Sequence, residues 1–176
     1  MAKVERFYWD ACAWLGLLNE EASKHRELRI IWDRARRGEC TIWTSTLSMV
    51  EVFKKRCEKG DPKPLSEEND IAINDLFLEP HVVLINLTPR ISTRARKLLR
   101  QHPQLKKAPD AVHLASALDA NCDRMHTYDG DDLLHLSEKE LCRDGRPLPI
   151  SLPDASTDGP LFSAEKSLRD HPAMGR

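Results

Sequence analysis

Four acidic residues, Asp10, Glu51, Asp110 and Asp129, each sit where an apolar stretch meets the start of a helical pattern. Asp10 closes the run Arg6-Phe7-Tyr8-Trp9. Glu51 stands one turn into the helical stretch after Cys40-Thr41-Ile42-Trp43-Thr44. Asp110 opens Asp110-Ala111-Val112-His113-Leu114, and Asp129 ends Arg124-Met125-His126-Thr127-Tyr128. In an open α/β sheet the carboxyl ends of the strands and the adjacent helix N-termini gather on one edge, where ligands bind. Acids far apart in sequence can converge there. Carboxylates brought together repel one another, and such a cluster is stabilised by a hard divalent cation. The chemistry this suggests is metal-dependent hydrolysis. Each acid also has a plainer role: Asp10 as a helix N-cap, Glu51 as a solvated helix residue, Asp110 as an acid in a first helical turn, Asp129-Gly130 as a turn. The conjunction of four favours a shared site.

The elements that must position them alternate. Residues 5–10, 40–44 and 81–87 read as strands, rich in aromatic and β-branched residues, with weaker runs at 124–128 and 148–152. Helical patterns fill 11–18, 20–37, 46–59, 66–78, 90–101 and 109–120, and one or two short helices are expected between Asp131 and Cys142. Ser66-Glu67-Glu68 suits an N-cap followed by first-turn acids. Strands alternating with helices imply a mostly parallel sheet. The two-helix stretch between the third and fourth strands permits a long crossover past the first. The order 3-2-1-4-5 would then set Asp10 and Asp129 at the switch point; it follows from the need to bring the acids together, not from periodicity.

A chain of 176 residues suggests one domain. The net charge of −1 advertises no global affinity for nucleic acid, although a local basic rim would suffice. No run is apolar and long enough to span a bilayer, and the first residues show no signal-peptide pattern. Five scattered cysteines without a CxxC pair read as reduced thiols of a cytoplasmic protein. From about Asp154 the chain turns to a Gly/Pro-containing linker and a segment poor in apolar residues. The expected organisation is a domain over 1–153 and a weakly structured tail over 154–176 that activity does not need.

Asp10 after an apolar run, Thr44-Ser45-Thr46-Leu47-Ser48-Met49-Val50-Glu51, the block from Asp110 to Leu118, and Thr127-Tyr128-Asp129 together resemble the PIN-domain nucleases. The closest flavour is the toxin ribonucleases of prokaryotic toxin–antitoxin pairs. The resemblance covers residues 4–150, and the block at Asp110 is its most specific piece. It implies a three-layer α/β/α sandwich with a mostly parallel 3-2-1-4-5 sheet, Mg²⁺ or Mn²⁺ held by the acids, and hydrolysis of RNA phosphodiesters. Asp10, Glu51, Asp110 and Asp129 match the four family acids, and Ser45 and Thr127 the small hydroxyl positions beside the second and fourth. Asp131 is favoured over Asp132 as the extra acid of some members. Ala11 and Cys12 depart from the hydroxyl or amide that many members carry after the first acid. The implied partners are an RNA substrate, a small antitoxin protein and a second copy of the chain in a homodimer, with no membrane. The rival is a non-catalytic PIN-like module that binds RNA or protein. A phosphatase with Asp10 as nucleophile would need an acid two residues on, where Cys12 stands.

Lys106 and Lys107 precede Asp110 and are candidates to rim the acids and touch the RNA backbone. Arg90, Arg94, Arg96, Lys97 and Arg100 make one helical stretch strongly basic. His113, three residues after Asp110, either faces the site or is simply hydrogen-bonded. Trp14 and Trp32, on early helices, are the tryptophans expected at a protein interface.

Overall fold

The computed structural model describes residues 3–60 and 66–155. Five strands, β1 (Glu5–Trp9), β2 (Cys40–Ser45), β3 (Val82–Ile85), β4 (Arg124–His126) and β5 (Ile150–Ser151), form one sheet in the order 3-2-1-4-5. Every pairing is parallel. The helices are α1 (Ala11–Leu18), α2 (His25–Arg36), α3 (Leu47–Glu51), α4 (Glu67–Phe77), α5 (Pro89–Gln101) and α6 (Ala108–Asp119).

Side chains alternate across a strand, and β1 uses both faces. Phe7 and Trp9 join Ile42 in a core with α1, α2 and α4, while Tyr8 joins the opposite core with α5 and α6. The sheet is therefore the middle of three layers. β1 lies between β2 and β4, so the chain reverses its direction of travel across the sheet beside β1, and the carboxyl ends there are where open α/β sheets bind ligands. The edge strands β3 and β5 run for only four and two residues, which limits exposed ladder groups. All five cysteines are free thiols. No described helix is long and apolar enough to cross a membrane.

Three expectations are corrected. The helix expected over 46–59 stops at Glu51. Val52 leaves it to enter the core, and local side chains hold the backbone beyond. Asn19 accepts the Arg56 N–H at 2.6 Å, and the Glu58 carboxylate accepts the N–H groups of Lys55 and Ser66 at 2.8 and 3.0 Å. Such bonds compete with helix propagation. The helix expected from Glu20 begins at His25, because Glu20 takes a left-handed conformation that ends α1. Trp14 and Trp32 are core rather than interface residues, 1% and 5% exposed. The Trp14 ring packs edge-on to Trp9 and Trp32 at centroid distances of 5.2 and 5.9 Å, and its indole N–H donates to Thr44 at 3.1 Å. α1 can lie this close to α2 because Gly16 faces Leu28: a Cβ there would stand 2.9 Å from the Leu28 side chain. Between Asp131 and Cys142 the regular element is one 3-10 turn, Leu134–Leu136.

Asp123 ties the start of β1 to the sheet. Burial alone would raise its carboxyl, but bonds from Lys3, the Arg6 N–H and Arg146 hold it below the usual carboxylate range. A carboxyl whose folded pKa is lowered stabilises the fold above its unfolded pKa, and that contribution is lost as pH falls through the folded value. Asp123→Asn should therefore cost about 1–2 kcal/mol at neutral pH. The gap from wild type should close in acid, as read by urea unfolding at several pH values; a pH-independent gap would contradict the assignment.

Of the expected tail, Asp154 and Ala155 are described, and the Ala155 N–H donates to Glu27 of α2 at 2.9 Å. The remainder lies outside the described residues.

Candidate active site

Asp10 follows β1 and caps α1: its Oδ1 accepts the Ala13 N–H at 3.0 Å. Its Oδ2 accepts the Thr127 hydroxyl from the end of β4, across the switch point. The capping role and the site position coexist in one residue. Asp10 is 3% exposed, and burial raises its pKa against the pull of His113, Thr127 and the Ala13 N–H. Thr127 also accepts the Asp129 N–H at 2.9 Å, so one hydroxyl couples the first and fourth acids.

Asp110 lies in the first turn of α6, and Asp129 in the loop after β4. With Asp132 they form a group whose carboxylate oxygens lie within 4.8 Å of one another. Asp132 is buried and Asp131 is exposed, so it is Asp132 that the fold brings beside Asp110 and Asp129. The cause is a local turn: Asp129 Oδ1 accepts the Asp132 N–H at 2.9 Å, and this closure carries residue 132 back toward the site. The three-residue spacing of the two aspartates was the available signal.

Lys107 is turned into the acids. Its Nζ stands 2.9 Å from Asp129, 3.2 Å from Asp132 and 3.6 Å from Asp110. These bonds hold its ammonium well above the usual lysine range. Lys106 is exposed. Asp110 Oδ2 is buried and makes no hydrogen bond, and its pKa is pushed to about 6, chiefly by desolvation, with Asp129 and Asp132 adding to it. An oxygen without a donor, among three converging carboxylates already occupied by one cationic group, fits a hard cation with oxygen ligands.

Glu51 ends α3 and faces His113 of α6. His113 Nε2 lies 2.7 Å from its Oε2, and His113 Nδ1 lies 2.8 Å from the Tyr8 hydroxyl. Tyr8 in turn accepts the Ser45 N–H at 3.1 Å. Burial keeps the phenol neutral, with its pKa well above the usual range. One nitrogen of the His113 ring therefore meets the Glu51 carboxylate and the other the Tyr8 hydroxyl, so β1, α3 and α6 are tied together through one imidazole. His113 also lowers the pKa values of Asp10 and Asp110, so it lies within electrostatic reach of both. Tyr8 is a functional candidate that motif reading missed, since nothing in an apolar strand marks it as polar support. The Ser45 hydroxyl turns to the start of α3, where it accepts the Leu47 N–H. Cys12 is held as an inert thiol at about 12, by burial and by the charges of Asp10 and Asp129.

The residues expected to converge thus fall into two linked groups. Asp110, Asp129 and Asp132 surround one point. Asp10 and Glu51 are joined to that edge through Thr127 and His113 and lie outside the tight group.

The fold and the site together define a parallel three-layer α/β sandwich with a group of carboxylates at its switch point, where strand ends and helix starts meet. The PIN domain family model matches residues 7–139, and the chain belongs to that family. No curated protein matches the sequence significantly. Among solved structures, the chain is similar to VapC20 of Mycobacterium tuberculosis, a sarcin–ricin loop cleaving toxin: 17% identity, 71% of this chain and 91% of that one, TM-score 0.56. It is also similar to VapBC2 of Rickettsia felis, bound to a promoter DNA fragment, at 14% identity over 85% and 99% of the two chains, TM-score 0.55. A toxin–antitoxin complex from Klebsiella pneumoniae matches at 19% identity over 71% and 88%, TM-score 0.50. At these identities the likeness establishes a shared fold.

Proposed function

We propose that this chain is a metal-dependent ribonuclease and the toxin member of a toxin–antitoxin pair. The observation that carries the reading is the group Asp110, Asp129 and Asp132 at the switch point of a PIN domain, with a buried oxygen left unbonded. The toxins and toxin–antitoxin complexes among the similar structures support it. A module that only binds RNA or protein has no use for such a group.

Asp110, Asp129 and Asp132 are the residues that would hold Mg²⁺ or Mn²⁺, with Asp10 and Glu51 completing the acidic edge. A bound ion of this kind supplies charge stabilisation to a phosphoryl oxygen and lowers the pKa of a water. Asp10, fixed on both oxygens by Ala13 and Thr127, orients the edge. Glu51, held by His113, is the carboxylate placed to orient the attacking water or take its proton. Ser45 fixes Tyr8, and through it His113. The residues of 1–153 carry this chemistry, and a chain ending at residue 153 keeps it. A small antitoxin that inserts an arginine among the acids would silence it.

The test is purified protein with RNA in Mg²⁺, in Mn²⁺ and in chelator. Cleavage with either ion that stops in chelator is expected. Cleavage that survives both chelator and Asp110→Asn would mean a contaminating nuclease and end the reading. For the partner, expression from the native locus should co-purify a small protein that blocks cleavage.

Lys107 competes with a divalent cation for the same three carboxylates. Lys107→Met should tighten Mn²⁺ binding by about tenfold, a discounted figure because the ammonium is largely solvated. Titration followed by the Mn²⁺ electron-spin signal reads this without reference to activity. Equal or weaker binding would show that the lysine does not occupy the cation's place.

A further inference from the structure

α5 is the most one-sided element of a nearly neutral chain. It carries Arg90, Arg94, Arg96, Lys97 and Arg100 with no acidic residue, against a net charge of −1 for the whole protein. Its apolar stripe, Ile91, Ala95 and Leu98, is buried, so the cations take the outer faces. Two of them serve the fold. Arg90 bonds Asp119 at 2.6 Å, and Arg94 donates to the Leu141 carbonyl. Arg96, Lys97 and Arg100 are exposed and make no hydrogen bond or ion pair with any described residue.

The helix's own stability does not explain this pattern. Like charges four apart, as Arg96 and Arg100 are, destabilise a helix, whereas solvated helices gain from opposite charges at that spacing. Of the three, Arg100 alone lies in the last turn, where a cation suits the helix dipole. A groove of about 500 Å³ runs along the same face, lined by Thr93, Arg96, Lys97, Arg100 and Gln101. It shares Thr93, Lys97 and Gln101 with a second groove of about 610 Å³. The acid lining that second groove, Glu140, is already bonded to His102 at 2.7 Å.

The surface also leads somewhere. α5 and α6 pack together, and the pair between Arg90 and Asp119 joins the start of one to the end of the other. The two helices are therefore antiparallel, and the Arg100 end of α5 lies beside the Asp110 end of α6. Three cations at that end, unpaired among the described residues, suit a polyanion. A single-stranded nucleic acid suits them better than an acidic protein, because α5 exposes none of the large apolar anchors on which protein interfaces centre.

The geometry points to α5 as the surface that carries the phosphate backbone of the RNA substrate, with Arg96, Lys97 and Arg100 leading it to the acidic edge. This rests on the ribonuclease reading above. The test compares wild type with the triple variant Arg96→Gln, Lys97→Gln, Arg100→Gln, all three at exposed positions. Binding of a mixed-sequence single-stranded RNA is measured in chelator across a salt series, and cleavage of a dinucleotide too short to reach α5 is measured with Mn²⁺. The variant should bind the long RNA at least tenfold more weakly, with a salt slope shallower by about 2, and cleave the dinucleotide at the wild-type rate. An unchanged affinity and slope would overturn the proposal, including the case in which the variant instead loses binding to an acidic peptide. A parallel fall in dinucleotide cleavage would overturn it too, since the substitutions would then act through the active site. Wild-type protein that binds the long RNA through α5 yet cleaves neither substrate would sink the ribonuclease reading and leave this surface standing. Wild-type protein that binds no RNA sinks the surface.

Discussion

Asp110→Asn should reduce RNA cleavage by about a thousandfold or more while leaving the fold intact. The expected loss is the several kcal/mol that a positioned cation contributes to charge stabilisation at a phosphoryl group. Asp110 is the cleanest of the acids for this test. Its Oδ2 makes no hydrogen bond, and its pKa already stands near 6, so a neutral amide of the same shape removes little from the folded protein. The melting temperature without added metal should shift only slightly, within about 1 kcal/mol of stability. Mn²⁺ binding should weaken in parallel with cleavage. Asp10→Asn is a poorer probe, because Asp10 also caps α1 and holds Thr127. Full cleavage by rigorously purified Asp110→Asn would remove this residue from the chemistry. Loss of cleavage with unfolding would show that the carboxylate is structural instead.

The second large effect concerns stability. Trp14→Ala should cost about 3–5 kcal/mol, the range for emptying a buried aromatic site. Trp14 sits at the centre of the Trp9, Trp32 and Phe77 cluster, and its indole N–H satisfies Thr44, which also bonds Ser48 at 2.7 Å and the Trp9 carbonyl at 2.8 Å. Truncation would open a cavity and remove a donor from this buried group. Urea unfolding should show a large fall in midpoint. A loss below about 1 kcal/mol, with a change in assembly state, would restore Trp14 as an interface residue.

The strand order was readable because the acids had to be brought together, and the two consecutive helices between the third and fourth strands, with right-handed crossovers, allow the chain to pass β1 and do so. Helix ends marked by local chemistry were also readable: Ser66 accepts the Asn69 N–H and caps α4 as its hydroxyl promised. Much of the rest was decided by neighbours distant in sequence or by local backbone bonds that residue type does not reveal. The stretch 46–59 has helical residues throughout, but Asn19 of another segment and the burial of Val52 draw it away. Trp14 and Trp32 carry no mark that distinguishes an open helix from one pressed on a sheet. Asp131 and Asp132 are equal as letters, and a backbone bond to Asp129 separates them. His113 and Tyr8 become visible as a pair only when β1 and α6 are laid against each other.

The order of the strands also sets when the acidic site can exist. β1 emerges first but pairs with β4, which arrives more than a hundred residues later, and Asp110, Asp129 and Asp132 all come from the later part of the chain. Contacts of such separation close late, after local helices have formed. During synthesis the early segments can build α1, α2 and the β1–β2–β3 half of the sheet, and that half holds none of the three clustered carboxylates. An interrupted or prematurely terminated chain therefore lacks the carboxylate group: it comes into being only when nearly the whole domain has left the ribosome.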